Sequence, residues 1–456
     1  MAGITWPGLL GWTRRYGMRV LSSRSTRLDE PLRSMALGPD GRIYLLQAPL
    51  CVASSCDGGP APARLTCLAL DGSPQWTYSW EREAGDMYVF DAVRVGPDGT
   101  IWMAAPDALI GLDPEGHLRA RIQVPRADRE TCGAFAVLDD GFVVALYRGG
   151  LPYRHRREGE DLTATVLRLD EGGGVRWATP LAPNSIESDL VVEISTESGG
   201  KPRRTRARRP RAWIPSTSSP LLVSGGRVLA SFCDMPSTGM GCAYGLDLES
   251  GRLIWQTPCA PTTTVAIAAP GRFLIGHQGY GALDTHLYDG DGRPIQRWRT
   301  HGCYIVGAGH GLRLVEQTND LSSEMRVAAL SIDGEIQRGP LLGGYATCYP
   351  ALTQDGVVVF WREGALLAVD RSLRIHRLGS FGAAAGSGST NGTPFSDRML
   401  LAEEGTLVFI VGSHERDEKG ELHRVDTLWI VRTDLGPLCD GPWPCRDGGA
   451  GANPVK

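Results

Sequence analysis

The sequence predicts an all-β fold, a single eight-bladed β-propeller of four-stranded antiparallel blades, closed by an N-terminal strand in the last blade. Three observations predict it. An apolar run broken by a turn glycine recurs at Gly41, Gly99, Gly141, Gly226, Gly271, Gly311, Gly356 and Gly405. A later apolar run in each unit ends on an aspartate: Asp71, Asp113, Asp170, Asp247, Asp289, Asp333, Asp370 and Asp434. Successive glycines lie 58, 42, 85, 45, 40, 45 and 49 residues apart, and a period in the forties with four short strands marks a propeller blade.

Residues 87–125 carry a clean copy. Phe-Asp-Ala-Val-Arg-Val (90–95) alternates, Gly-Pro-Asp-Gly (96–99) turns, and Thr-Ile-Trp-Met-Ala (100–104) runs on as the second strand. Ala-Leu-Ile-Gly-Leu-Asp (108–113) is the third, and His-Leu-Arg-Ala-Arg-Ile-Gln-Val (117–124) follows a Pro-Glu-Gly turn as the fourth. Alternation punctuated by Asp-Gly turns is the code of antiparallel hairpins. Trp76, Trp177, Trp255 and Trp298 fall in fourth strands, where an indole can cover the gap between blades. The blades expected are 33–83, 87–125, 131–183, 216–261, 262–302, 303–343, 347–380 and 392–440. The eighth unit lacks a fourth strand, and Gly-Trp-Thr-Arg-Arg-Tyr-Gly (11–17) is expected to supply it, so that 10–17 closes the ring. Residues 184–215 read as a basic inserted loop and 441–456 as a C-terminal tail.

Composition agrees with a large β protein. Among 456 residues, 59 Gly and 30 Pro supply turns, and 42% hydrophobic residues fill strands. The net charge of −4 gives no overall field for nucleic acid or anionic membrane. No apolar run is long enough for a membrane-spanning helix. The N-terminus lacks the basic and apolar regions of a secretory signal. The eleven cysteines point the other way, with close pairs at Cys51 and Cys56, Cys233 and Cys242, and Cys439 and Cys445. Cys303 and Cys348 occupy matching positions in neighbouring units. These pairs are disulfide candidates, which places the protein in the cell envelope or outside the cell; the alternative is cytoplasmic with reduced thiols.

Several units resemble the quinoprotein-like propeller repeats of bacteria, in which an apolar strand ends in Asp and a Gly turn leads to Trp. Leu-Asp-Leu-Glu-Ser-Gly-Arg-Leu-Ile-Trp (246–255) carries the pattern, and residues 11–17 with Ala-Leu-Gly-Pro-Asp-Gly-Arg-Ile-Tyr-Leu (36–45) are similar to propeller repeats of envelope proteins. The family includes lipoprotein-type propellers that assist outer-membrane assembly, and quinone-dependent dehydrogenases. The dehydrogenases hold a planar cofactor and a calcium ion on the axis beneath an adjacent Cys-Cys pair. No two cysteines are adjacent here, and the sequence assigns no cofactor, metal or catalytic residue. Asp-Gly-Asp-Gly (289–292) reads as a strand turn, because the bidentate Glu of a calcium loop is missing. Asp-Gly-Thr-Ile-Trp (98–102) resembles a lyase-type repeat in one copy.

The turn glycine and the aspartate are about 30 residues apart in units one, three and eight, against 14 in units two and seven. The excess is expected as loops between second and third strands, on the rim that also carries the blade connections. Two segments are basic: Tyr-Arg-Gly-Gly-Leu-Pro-Tyr-Arg-His-Arg-Arg (147–157), and 201–213 with seven cations and no acid. Together they offer a binding patch of Tyr147, Tyr153, Arg154, Arg156, Arg157, Arg203, Arg204, Arg206, Arg208, Arg209 and Trp213. The function expected is a rigid, non-catalytic binding platform, monomeric or within a hetero-complex. Its expected partner is a protein, with an anionic polymer or lipid headgroup also suited to the arginines. The alternative is an enzyme, quinoprotein- or lyase-like, with its active site in the axial funnel.

Overall fold

Eight antiparallel sheets stand in a ring. The structure, a computed structural model, describes residues 18–48, 62–81, 92–105, 107–127, 130–148, 164–181, 214–215, 220–233, 241–259, 264–276, 284–308, 311–317, 325–331, 333–342, 348–382, 399–416, 420 and 422–456. Blade 1 spans Leu32–Glu81, blade 2 Val93–Gln123, blade 3 Glu130–Leu181 and blade 4 Ile214–Cys259. Blades 5, 6 and 7 span Thr264–Trp298, His301–Leu342 and Ala351–Ser380, and blade 8 joins Met399–Thr433 to Val20–Arg27. The innermost strands of blades 1 to 8 touch in succession, and an apolar cluster seals blade 8 onto blade 1 through Leu400, Val408 and Leu428 against Met35, Leu37 and Leu45. In blade 4 the innermost strand comes in two pieces, Ile214–Pro215 and Leu221–Ser224, both paired to Arg227–Cys233. Residues 214–215 therefore belong to the blade rather than to the basic insert.

The N-terminal region closes the ring, as the sequence predicts, but the strand lies later than expected. Val20–Arg27 pairs antiparallel with Leu422–Thr433, from Val20 opposite Thr433 to Arg27 opposite Thr427. Residues 10–17 lie outside the described residues. Asp426 fixes the crossing from this strand into blade 1. Its buried carboxylate accepts the Leu32 amide at 2.7 Å and Arg424 Nε at 2.8 Å, while its own carbonyl accepts the Leu28 amide at 2.9 Å.

Neighbouring blades are joined by a repeated contact. Trp76 Nε1 of blade 1 donates to the Pro114 carbonyl of blade 2 at 2.8 Å. Trp177 reaches Leu248 at 2.9 Å, Trp255 reaches Gly290 at 3.1 Å and Trp298 reaches Ser331 at 3.1 Å, each in the next blade. The first three indoles lie on a turn glycine of that blade. A Cβ on Gly116 would stand 2.6 Å from the Trp76 ring, and one on Gly251 2.5 Å from Trp177; both glycines have positive φ, 90° and 69°. Glycine is required there by contact and by backbone alike. The closing strand has no tryptophan. Arg24 takes its place: it packs on Gly72, and its guanidinium donates to the Asp71 carbonyl at 2.8 Å.

The repeated aspartates cap the outer hairpin turns. Asp71 accepts the Ser73 amide and hydroxyl, Asp113 the His117 amide, and Asp247 the Ser250 amide and hydroxyl. Blade 8 departs from the expectation of a long loop. Its second and third strands, Thr406–Arg416 and Leu422–Thr433, pair out to Arg416 opposite Leu422, so the excess length is mostly a hairpin extending beyond its blade. Arg27 of the closing strand meets Glu415 at 3.0 Å on that hairpin.

Asp426→Ala leaves the buried Leu32 amide without its acceptor, at a cost of about 1–3 kcal/mol, read as a lower urea midpoint at unchanged slope. Hydrogen bonds from Ser73, His117 and Ser250 hold the Asp71, Asp113 and Asp247 carboxyls below their ordinary value of 3.8. A depressed folded pKa stabilises above the unfolded pKa and is lost as pH falls through the folded value. The urea midpoint should therefore hold from about pH 7 to about pH 5 and fall below about pH 4.

Candidate functional site: the axial channel

Each innermost strand pairs within its blade along one edge and turns the other towards the axis. Such an edge presents unpartnered amides and carbonyls. One station on it recurs. Leu37, Val95, Val137, Gly307 and Leu352 each stand four residues before the turn glycine of their blade, and Val223 stands three before its own. All six amides point inward, and all six donate to residues 443–454. Leu37 N reaches Ala450 O at 2.8 Å, Val95 N reaches Gly451 O at 2.8 Å, and Val137 N reaches Asn453 Oδ1 at 3.0 Å. Val223 N reaches Pro454 O at 2.9 Å, Gly307 N reaches Trp443 O at 2.8 Å, and Leu352 N reaches Pro444 O at 2.7 Å. The segment expected as a tail thus crosses the channel and accepts hydrogen bonds from six of the eight blades.

The expectation for 441–456 is corrected because these backbone donors need acceptors, which an extended Gly- and Pro-rich segment supplies without bulk. Its first part is core. Trp443 is fully buried among Leu222, Ala266, Ile267 and Leu330, bonds both ways with the Gly307 backbone, and donates from Nε1 to Tyr349 Oη at 3.2 Å. Cys445 and Leu435 join the cluster of blades 6 to 8. Further on, buried Arg94 donates to the Ala452 carbonyl, lies 3.8 Å from the buried Asp447 carboxylate, and stacks 5.6 Å from the Phe135 ring. A buried cation of this kind is tolerated because an acid, a carbonyl and an aromatic face replace its water.

All these stations lie at the ends of the innermost strands that lead into the first hairpin turn. The segment therefore occupies the channel at the face of those turns. The opposite face carries the ends that lead to the blade connections and to the loops between second and third strands. The extended hairpin of blade 8 leaves from that loop face, and Leu181 and Ile214, which bound the basic insert, stand there.

The sequence-predicted site residues fare differently. Tyr147 is corrected: it lies within the strand Gly141–Arg148, paired with Thr131 and Ala164, and is buried. Tyr153, Arg154, Arg156, Arg157, Arg203, Arg204, Arg206, Arg208, Arg209 and Trp213 lie outside the described residues. Among the disulfide candidates, Phe232 faces Cys242 and Cys233 faces Gly241, so Cys233 and Cys242 project from opposite faces of the sheet and the link expected between them is corrected. Cys439 is a half-buried thiol, pushed up by burial, which corrects its link to Cys445. Cys348 Sγ accepts the Trp361 amide at 3.0 Å, while Cys51, Cys56 and the Cys303 side chain lie outside the described residues. Burial pushes Cys132 up to about 12 and Cys67 up to about 11, so both stay protonated and unreactive near neutral pH. Sequence reasoning missed the donor ring, although its spacing from each turn glycine is regular enough to have been found.

A calcium-bound quinone on the axis needs converging carboxylates. Among the described residues no group of three His, Cys, Asp or Glu side chains could hold a metal ion. No helix among them is long and apolar enough to cross a membrane.

The sequence matches no protein-family model and no curated protein. Solved structures share the fold. A europium-containing methanol dehydrogenase is similar at 12% identity and TM-score 0.51, over 91% of this chain and 93% of that one. The quinohaemoprotein alcohol dehydrogenase of Comamonas testosteroni is similar at 13% identity and TM-score 0.50, over 90% and 76%. BamB of Moraxella catarrhalis covers 89% and 98% at 15% identity, with a TM-score of 0.46. At such identities the likeness is one of architecture.

Trp443→Ala should cost about 3–5 kcal/mol in urea denaturation, because it empties a fully enclosed site. Tyr349→Phe removes only the acceptor of the indole N–H, at about 1 kcal/mol.

Proposed function

We propose that this protein is a non-catalytic binding platform that engages a partner protein through its loop face. One observation carries the reading: the chain's own C-terminal segment fills the channel at the turn face and takes up the backbone donors there. That leaves the loop face, with the extended hairpin of blade 8 and the strand ends that bound the basic insert, as the surface open to a partner. The tryptophan–glycine contacts between blades make the ring a stiff support, and stiffness lowers the entropic cost of presenting a fixed surface. Arg203, Arg204, Arg206, Arg208 and Arg209 would meet an acidic partner surface, with Tyr153 and Trp213 as aromatic anchors. A cell-envelope or extracellular setting, in a hetero-complex, belongs to the same reading.

Replacing those five arginines by serine should abolish capture of a partner from extracts of the native host. Capture by the unaltered protein should weaken as salt rises from about 0.05 to about 0.5 M. Equal capture by the variant would reject the loop-face assignment. Reduction of an artificial electron acceptor after addition of pyrroloquinoline quinone, calcium and an alcohol would replace the platform reading with the dehydrogenase one.

A further inference from the structure

We propose that the turn-face mouth of the channel is a peptide-binding site, and that residues 449–456 are its resident ligand, held in cis. This lies on the face opposite the proposed partner surface and does not depend on that reading.

The C-terminal segment has two parts with different physics. The first part is anchored in the core by Leu435, Trp443 and Cys445, and it cannot leave without opening the contacts of blades 6 to 8. Residues 449–456, Gly-Ala-Gly-Ala-Asn-Pro-Val-Lys, are small up to Pro454; Ala450, Ala452 and Val455 rest on the apolar clusters of neighbouring blades, and hydrogen bonds fix the run. Ala450, Gly451 and Pro454 give their carbonyls to the amides of Leu37, Val95 and Val223, and Lys456 N returns a bond to the Val223 carbonyl at 2.9 Å. Asn453 grips Val137 twice, accepting from its amide at 3.0 Å and donating to its carbonyl at 2.8 Å. Arg94 takes the Ala452 carbonyl. Blades 1 to 4 are thus each read at the same station of the repeat.

This is strand-edge recognition of an extended peptide, in which backbone bonds give affinity and a few positions give selectivity. Here the edge is assembled from four blades. Selectivity resides in three residues. A Cβ on Gly451 would come within 3.3 Å of Val95 Cβ, a tight approach that disfavours side chains there. Ala452 is held at φ 55°, a left-handed conformation sustained by the Arg94 contact and by its own amide bonded to Gly449 O at 3.0 Å. Asn453 supplies an acceptor and a donor that no aliphatic side chain offers. The ligand class is a short peptide with a Gly-Ala-Asn-Pro core. Tethering gives the segment an effective concentration near the millimolar range, so free peptide cannot displace it from the intact chain.

The test uses the protein ending at Gly448 and a synthetic peptide of residues 449–456. The shortened protein should melt lower, bind the peptide in isothermal titration, and regain melting temperature when it is added. A peptide carrying Asn453→Ala should bind about tenfold more weakly or worse, a scrambled peptide should not bind, and the full-length protein should bind none. A shortened protein that melts unchanged and ignores the peptide would overturn the proposal, as would equal binding by the scrambled sequence. Should the shortened protein fail to fold, amide exchange of the full-length Asn453→Ala variant decides. Val137 and Val223 should lose protection while Gly307 and Leu352 keep it; unchanged protection at Val137 and Val223 would overturn the proposal.

Discussion

A ring of sheets leaves one backbone edge of every blade facing the axis, and the amides on that edge need acceptors that the blade itself cannot supply. Much of the architecture follows from this constraint. In six blades the same station donates to residues 443–454, so one segment answers a need created by the repeat itself. The contact is made of backbone and small side chains because the axis has little room; Gly451 and the Pro-rich run around Trp443 meet that limit. The N-terminal end answers the companion need, at the outer edge of blade 8, through Val20–Arg27. Both ends of the described chain are therefore structural members of the ring.

The seams between blades show how one contact survives changes of residue. What persists is a side chain on the fourth strand lying over the outer turn of the next blade and donating to a carbonyl there. Trp76, Trp177 and Trp255 do this with an indole, and Arg24 does it with a guanidinium over Gly72. Both groups are flat, both donate from an N–H, and both cover the turn against water. A search for tryptophan alone therefore places the closing strand at Trp12, whereas the arginine-bearing strand that follows is the one that pairs.

The division between the two faces carries the functional argument. At the turn face, short hairpins surround the C-terminal segment, which is hydrogen-bonded to six of the blades. At the loop face, strand ends lead into the long segments of units one and three, and the hairpin of blade 8 extends outward. The likeness to quinone-dependent dehydrogenases extends over the ring, but the described residues gather no metal-binding cluster. A shared ring does not by itself fix the chemistry, because the seams between blades lie away from the axis.

The blade count and the placing of the turns were legible in the sequence, because period-2 alternation, turn glycines and capping aspartates act over a few residues and repeat. The aspartates at 71, 113 and 247 cap the turns their spacing implied, and the tryptophans at 76, 177 and 255 bridge the blades. Three features were decided by the tertiary structure alone. Tyr147 looked like the start of a basic loop and proved to be the buried end of a strand, since a boundary depends on what the neighbouring strand pairs with. Cys233 and Cys242 are near in sequence but on opposite faces, which register determines. The C-terminal segment carries no strand pattern, because its partners are six edges more than 80 residues away in sequence, brought together only when the ring has formed.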